Sequence, residues 1–359
     1  MQTKHRQSFD DNIISEFNKA RQIMKSLPSR FPFFIQALIN QKAASFRRQS
    51  QARHGLEVPP LLIISITKRC MLNCKGCYSK LIHTSDEAEL NVKQFKKILD
   101  EAEDLGISIV LLAGGEPLMR REILELAGTY KKLIFPIFTN GLAFTPEYAT
   151  FFAKAPNLIP VISLEGDEAE TDARRGAGVF ANFSEICAEL NKHHIFWGNS
   201  LTLTSENFDT VLSEDYALRR LKQGAKLFFY VEYVPVAEGS SHLVLSDQQK
   251  AELPGRVEAL CKSLPGLFIA FPGDEDQYEG CLAAGRGFLH INPSGKVEPC
   301  PFAPFSDSDL RYGSLRDALE SRFLREIREN HHLLKEGEGG CALWSNRDWV
   351  KRLHLVNSE

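Results

Sequence analysis

The sequence alternates short apolar segments with amphipathic segments of helical periodicity over most of its length. Consecutive βαβ units place their strands parallel in one sheet with right-handed crossovers, so this alternation predicts a parallel α/β fold. The predicted strands are residues 61–67, 107–112, 133–138, 159–164, 197–203 and 226–233. The predicted helices are residues 92–104, 121–131, 145–153, 182–193 and 209–222. Such units form either a partial barrel or an open sheet, and the pattern alone does not choose.

The pattern changes on both sides of this core. The first segment has helical spacing and mixed charge, and Pro59-Pro60 ends it. Beyond the sixth predicted strand, the sequence predicts a long helix, a short strand and a hairpin with an Asn-Pro-Ser-Gly turn at residues 292–295. We therefore predict a helical N-terminal extension (residues 1–57), a core (residues 58–236) and a small α+β unit (residues 237–359).

The composition excludes several classes of protein. Apolar residues make up 43% and charged residues 25% of the 359 residues, as in ordinary globular proteins. The net charge of −3 gives no electrostatic indication of binding to nucleic acid or to an anionic membrane. No apolar stretch reaches the roughly 18 residues that a membrane helix needs, and the polar N-terminus lacks a secretory signal. We expect a cytoplasmic protein that binds neither membrane nor nucleic acid.

Eight cysteines are unevenly distributed, and three of them fall within eight residues. Cys70, Cys74 and Cys77 directly follow the first predicted strand, at the sheet edge where α/β proteins place their chemistry. Three thiolates at this spacing can bind one metal centre. A structural zinc site normally takes four protein ligands, whereas an iron–sulfur cluster with three cysteines keeps one iron open to substrate. The spacing favours the cluster, and zinc remains the alternative.

Three further motifs lie at the ends of later predicted strands, in the order that one protein family uses. They are Gly114-Gly115-Glu116-Pro117, Phe138-Thr139-Asn140-Gly141 and Ser163-Leu164-Glu165-Gly166. Together with Cys70-x3-Cys74-x2-Cys77-Tyr78, this set resembles the radical S-adenosylmethionine (radical SAM) superfamily over roughly residues 60–235. The resemblance implies a partial (β/α)6 TIM-like barrel with the helical extension before it and a small α+β cluster-binding domain after it.

The resemblance also implies roles for individual residues. Cys70, Cys74 and Cys77 would bind three irons of a [4Fe–4S] cluster, whose fourth iron binds S-adenosylmethionine (SAM). The turn at residues 114–117 would bind the methionine amino group through its backbone, and Tyr78 would lie beside the adenine. The residues expected to contact the cofactor are Tyr78, Gly114, Gly115, Glu116, Pro117, Asn140, Ser163, Glu165 and Arg175.

A second resemblance concerns the C-terminal part. Cys281-x13-Gly295-x4-Cys300 resembles the opening of the SPASM domain and of its shorter relative, the twitch domain, which carry auxiliary iron–sulfur clusters. The sequence has no cysteine between Cys300 and Cys341, so the central cysteine group of the SPASM pattern is missing. We therefore predict one auxiliary cluster on Cys281, Cys300 and Cys341. Its fourth ligand stays open, with Cys261 as one candidate.

These resemblances predict a radical SAM enzyme that cleaves SAM reductively and abstracts hydrogen from a substrate. A peptide or protein substrate is the leading hypothesis, and small-molecule cofactor biosynthesis is the alternative. A non-enzymatic zinc or iron–sulfur protein is the hypothesis from a different class. Glu232 and Tyr233 end the sixth predicted strand and are the candidates for substrate contact. The expected partners are the substrate and an electron donor such as flavodoxin or ferredoxin.

Overall fold

The structure is a computed structural model that describes residues 11, 13–16, 23, 27–83, 86–271, 278, 280–334 and 341–357. Its strands are β1 (Leu61–Ser65), β2 (Ile109–Ala113), β3 (Phe135–Thr139), β4 (Leu158–Leu164), β5 (Gly198–Leu203), β6 (Leu227–Glu232), β7 (Leu267–Phe271), β8 (Phe288–Ile291) and β9 (Val297–Glu298). Its α-helices are α1 (Phe31–Arg53), α2 (Tyr78–Ile82), α3 (Val92–Leu105), α4 (Arg121–Ala127), α5 (Pro146–Lys154), α6 (Glu168–Arg175), α7 (Phe183–Lys192), α8 (Phe208–Val211), α9 (Glu214–Lys222), α10 (Asp247–Ser263), α11 (Leu315–Leu319), α12 (Arg322–Glu329), α13 (Ala342–Ser345) and α14 (Arg347–Asn357).

All the strands belong to one sheet with the order β7-β6-β5-β4-β3-β2-β1-β8-β9. Neighbouring strands are parallel from β7 to β8, and only the β8–β9 hairpin is antiparallel. The predicted parallel α/β fold of partial TIM-barrel type is confirmed, and the bounds of β1 to β6 differ from the prediction by at most two residues.

The sheet does not stop at residue 236, where the predicted core ends. β7 pairs in parallel with β6, and β8 pairs in parallel with β1 through registers such as Ile63↔His290. The C-terminal part therefore extends both edges of the sheet, and it places the hairpin with its cysteine beside β1. The division into three parts stays a prediction.

Side chains alternate between two faces of the sheet, because successive residues of a strand point to opposite sides. The outer face packs against the helices; Leu62 and Ile64 of β1 meet Phe95 and Ile98 of α3 in one apolar cluster. On the inner face, the amino ends of the strands meet Phe34 of α1 in a second apolar cluster. The polar residues of the inner face therefore lie at the carboxyl ends of the strands.

The predicted N-terminal extension contains α1, whose buried Arg48 donates to Gly106 O at the end of α3. This contact fixes α1 to the outer layer of helices. Residues 1–10, 12, 17–22 and 24–26 of that extension lie outside the described residues. Among the helices that the structure describes, none combines the length and apolar character needed to cross a membrane.

Candidate functional site

The loop after β1 carries the first cysteine group. Cys70, Cys74 and Cys77 are partly exposed and free of disulfides. Burial raises the pKa of both Cys70 and Cys74, and the charge of Cys77 acts on each of them in the same direction. Cys77 is therefore near enough to both other thiols to act on them, and the joint binding of one cluster by the three cysteines stays a prediction. The Lys75 amide donates to Arg174 O over 2.9 Å, which ties the loop to the end of α6.

The turn at residues 114–117 fits directly against the start of the cysteine loop. The Gly115 amide donates to Thr67 O over 2.7 Å, and the Glu116 amide donates to Arg69 O over 2.8 Å. A Cβ on Gly114, whose φ is +121°, would lie 2.5 Å from Thr67 O. Glycine is required at both positions because the two backbone segments approach each other too closely for a side chain. Since the two amides hold the loop, the predicted contact with a methionine amino group would fall to carbonyl oxygens of the turn.

Glu116 is buried and connects this turn to the end of β3. Its Oε1 accepts from Thr139 Oγ1 over 2.6 Å and from the Leu118 amide over 2.9 Å, while its Oε2 accepts from the Asn140 amide over 2.8 Å. Burial raises the pKa of Glu116, although these hydrogen bonds oppose the shift. Both carboxylate oxygens thus serve the fold, and Glu116 acts as a positioning residue. Pro117 begins the short 3-10 turn that follows and is also buried.

Asn140 contacts the cysteine loop itself. Its Oδ1 accepts from the Leu142 amide over 2.9 Å, which shapes the turn after β3. Its Nδ2 lies 3.6 Å from Cys70 Sγ and 3.3 Å from Met71 Sδ. Asn140 therefore lies at the rim of the thiol group, where the sequence predicts a cofactor contact.

A carboxylate with two guanidinium groups stands beside Cys74. Glu165 is 2% exposed, and its Oε1 accepts from Arg174 Nη1 over 2.6 Å and from Arg175 Nε over 2.8 Å. Both arginines lower the pKa of Cys74, although burial raises it more. Glu165 Oε2 is buried without a hydrogen-bond partner. Ser163 lies two residues earlier on the same inner face and is also buried.

Arg174 is a functional candidate that the sequence prediction missed. It also donates to Thr202 Oγ1 on β5 over 2.9 Å. The signal was available in the sequence, because Asp167 and Glu170 form a capping box that starts α6 and so places Arg174 and Arg175 on its last turn.

The two candidates at the end of β6 have different surroundings. Tyr233 has its ring against the cysteine loop, and a Cβ on Gly76 would lie 2.9 Å from Tyr233 Cε2. The Tyr233 hydroxyl is buried without a hydrogen-bond partner. Glu232 lies on the same face of β6 as Phe228 and Tyr230, whose side chains pack in the apolar cluster on the outer face of the sheet. Of the two, Tyr233 is the one that the structure places beside the thiols.

The second cysteine group comes together in the C-terminal part. Cys281, Cys300 and Cys341 are all buried and free of disulfides. Burial raises the pKa of Cys300 well above its usual range, and a hydrogen bond with Cys341 and the charges of Cys341 and Cys281 raise it further. Cys261 instead donates from Sγ to Phe268 O on β7 over 3.7 Å. Cys300 thus lies in hydrogen-bond contact with Cys341 and within electrostatic range of Cys281, and the shared cluster on the three cysteines stays a prediction.

Tyr78 stands between the two cysteine groups. It packs on Phe302 with ring centroids 5.0 Å apart. Burial raises its pKa, and the charges of Cys77 and Cys300 add to the shift. The side chain thus contacts the C-terminal part, and its predicted contact with the adenine stays a prediction.

These residues fit the cofactors that the sequence predicts. Three partly exposed thiols at one strand end suit a cluster with one open iron. The unpartnered Oε2 of Glu165 can accept from a hydroxyl group such as that of a ribose, and the two arginines beside it provide positive charge for a carboxylate. The geometry thus defines a thiolate cofactor site at the carboxyl ends of a parallel α/β sheet.

Comparison with known proteins agrees with this class of site. The sequence model of the radical SAM superfamily matches residues 64–213. Mycofactocin maturase MftC from Mycolicibacterium smegmatis is 30% identical over 317 residues, covering 82% of this chain and 78% of that protein. AdoMet-dependent heme synthase from Methanosarcina barkeri is 26% identical over 314 residues, covering 79% of this chain and 88% of that protein. The crystal structure of Streptococcus suis SuiB bound to precursor peptide SuiA matches with a TM-score of 0.62 and 19% identity, covering 85% of this chain and 76% of that one.

The chain belongs to the radical SAM superfamily. It is a radical SAM enzyme that uses a [4Fe–4S] cluster and SAM, as the sequence predicts.

Replacing Glu165 with glutamine is expected to destabilise the protein and weaken SAM binding. The two guanidinium groups would face a neutral amide, and breaking a buried ion pair costs about 3–5 kcal/mol. Urea unfolding and equilibrium SAM binding measure the two effects against the exposed Glu238→Gln variant. Unchanged unfolding and binding would contradict the assigned role of Glu165.

Proposed function

We propose that this enzyme modifies a peptide, with SAM bound at the carboxyl ends of the strands and Cys70, Cys74 and Cys77 as the ligands of the SAM-binding cluster. When bound, the cluster and SAM together supply a 5′-deoxyadenosyl radical that abstracts hydrogen from a C–H bond of the substrate. The observation that carries the site assignment is the presence of three partly exposed cysteines, none of them in a disulfide, within the one loop that follows β1.

The residues around this loop orient the cofactor and exclude water. Gly115 and Glu116 hold the backbone of the loop, and Asn140 contacts it from β3. Glu165 and Arg175 form the polar wall toward the ribose and carboxylate of SAM. The ring of Tyr233 lies against Gly76, with the guanidinium of Arg174 5.9 Å from the centroid of the ring. This enclosure matters because a carbon radical that is open to solvent loses its selectivity.

The relatives support a peptide substrate. One relative is a mycofactocin maturase, and one structural neighbour is SuiB bound to precursor peptide SuiA. The AdoMet-dependent heme synthase favours a second candidate, the modification of a small-molecule cofactor precursor, because this chain covers 88% of that protein. Flavodoxin or ferredoxin is proposed as the electron donor for either reaction.

A hydrogen-transfer experiment tests the peptide proposal. The reconstituted enzyme, SAM and dithionite would be combined without oxygen with C-deuterated peptides encoded beside its gene. We expect deuterium in 5′-deoxyadenosine and a changed peptide mass. Deuterium transfer from a porphyrin precursor, with none from the peptides, would select the second candidate. Repeating the successful reaction with reduced flavodoxin or ferredoxin in place of dithionite tests the proposed electron donor.

We also propose that Cys281, Cys300 and Cys341 bind one auxiliary iron–sulfur cluster. Burial and the neighbouring Cys341 and Cys281 raise the pKa of Cys300, so a thiolate at Cys300 is costly to bury, and iron ligation compensates the charge. Cys300→Ala is expected to lower the iron content from about eight to about four per chain, because one cubane cluster is lost. The matched control is Cys261→Ala, which should retain both clusters. An unchanged iron content in Cys300→Ala would contradict this assignment.

A further inference from the structure

Three metal-ligating side chains meet between the two cysteine groups. His83 follows α2 and therefore lies just downstream of the first cysteine loop, whereas His290 lies on β8 and Glu298 on β9. They are 9%, 0% and 2% exposed, respectively. None of the three belongs to the cofactor site described above.

One atom of each side chain faces the other two. His290 Nδ1 lies 2.7 Å from Glu298 Oε2, and His83 Nδ1 lies 3.9 Å from the same oxygen. All three atoms lie within 4.8 Å of one another. Ligand atoms at about 2.0–2.1 Å from a tetrahedral zinc ion are about 3.3 Å apart, a value between the two distances. A shift of about half an ångström in the Glu298 carboxylate would make its distances to the two histidine Nδ1 atoms equal.

The outer atoms of the same side chains are held by other partners. His83 Nε2 lies 3.1 Å from Pro301 O, and His290 Nε2 lies 2.9 Å from Ser65 Oγ. Glu298 Oε1 accepts from Asn292 Nδ2 over 2.8 Å. Metal-binding histidines characteristically donate their second ring N–H to a carbonyl or a similar acceptor, and metal-binding carboxylates are likewise hydrogen-bonded.

The contact between His83 and Pro301 fixes the tautomer of His83. A carbonyl oxygen only accepts, so Nε2 of His83 carries the proton, and in a neutral imidazole the lone pair then lies on Nδ1. Nδ1 of His83 therefore offers a lone pair 3.9 Å from Glu298 Oε2, the oxygen that is hydrogen-bonded to His290 Nδ1 over 2.7 Å. A cation between the three atoms would bind this lone pair and replace the proton between His290 Nδ1 and Glu298 Oε2.

We propose that His83, His290 and Glu298 form a binding site for one zinc ion, which extends the function beyond the two iron–sulfur sites. Two histidines and a carboxylate are an established ligand set for zinc. The ion would link the segment after the first cysteine loop to the hairpin that leads to Cys300. Its role is to hold the two cysteine-bearing segments in a fixed relation.

Metal analysis of the wild-type holoenzyme tests the proposal without any variant. It would be produced with added Zn²⁺, purified without oxygen, and analysed by metal mass spectrometry and zinc X-ray absorption. We expect about one zinc per chain with nitrogen and oxygen ligands at about 2.0–2.1 Å. A full iron content without zinc would reduce the site to a hydrogen-bond network and overturn the proposal. Sulfur ligands at about 2.3 Å would place the zinc on cysteines and overturn it as well.

Two variants then assign the ligands. His290→Gln and His83→Gln are expected to lose the zinc while keeping their iron, and the exposed His242→Gln is the matched control. Retention of zinc with nitrogen ligation in both ligand variants would contradict the assignment. The zinc content does not depend on SAM cleavage, so failure of the proposed peptide reaction would be distinguishable from failure of this site.

Discussion

The Cys74→Ala enzyme is expected to form no 5′-deoxyadenosine and to lose the absorbance of its SAM-binding cluster. Cys74 lies beside Cys77 and next to Arg174 and Arg175, whose charges stabilise its thiolate. Alanine leaves two thiols in the loop, too few to retain a cluster that offers only one open iron. Anaerobic reconstitution with iron and sulfide, followed by SAM and dithionite, measures both properties in one preparation.

Cys261→Ala is the control for this prediction. Cys261 is also partly exposed and outside any disulfide, but its thiol donates to Phe268 O on β7. This variant should keep the iron content and the rate of SAM cleavage of the unaltered enzyme. Product formation at the normal rate by Cys74→Ala would remove Cys74 from the ligands of the SAM-binding cluster.

The core strands could be predicted because they are buried on both faces and read as short apolar runs. β1 and β2, for example, consist almost entirely of aliphatic residues. The pairing of β8 with β1 could not be predicted in this way, because the two strands are separated by more than half of the chain. A four-residue apolar segment before a turn indicates a hairpin, but it carries no signal for a second, parallel neighbour.

The helix α6 was missed for a different reason. Five of its eight residues are charged, and only Thr171 is buried, so it lacks the apolar periodicity that identifies amphipathic helices. Its capping box was the usable signal, and reading it would have placed Arg174 together with Arg175 beside Glu165. A charged helix at a functional site is therefore better identified in the sequence by its capping residues than by an apolar face.

The cysteine groups show what a motif provides and what the fold adds. The spacing of the first three cysteines is local, so their convergence could be predicted from one loop. Cys281, Cys300 and Cys341 are 19 and 41 positions apart along the chain, and only the resemblance grouped them. The end of β6 shows the limit of such reasoning. Glu232 and Tyr233 are successive residues that point to opposite faces of the sheet, and the sequence alone does not tell which of the two faces is the inner one.

The Gly115→Ala enzyme is expected to lose SAM cleavage almost completely, although no metal ligand is removed. A Cβ at residue 115 would lie 2.6 Å from the carbonyl carbon of Arg69 and 2.8 Å from Lys68 O. Both neighbours are backbone atoms, so no side-chain rotation relieves the overlap, and the start of the cysteine loop must move. The hydrogen bonds of the Gly115 and Glu116 amides to this segment would break with it. The readouts are the iron content, SAM binding and formation of 5′-deoxyadenosine.

Gly255→Ala is the matched control for this substitution. Gly255 lies within α10, and a Cβ there would meet no atom within 4 Å. Replacing a helical glycine by alanine stabilises a helix by roughly 0.5–1 kcal/mol, so this variant should be slightly more stable and fully active. If Gly115→Ala retained its cluster and cleaved SAM at the control rate, the turn would not position the loop. A loss confined to the residue 115 variant, at an unchanged midpoint of thermal unfolding, would instead show that the placement of the thiols by the turn, rather than global stability, limits the reaction.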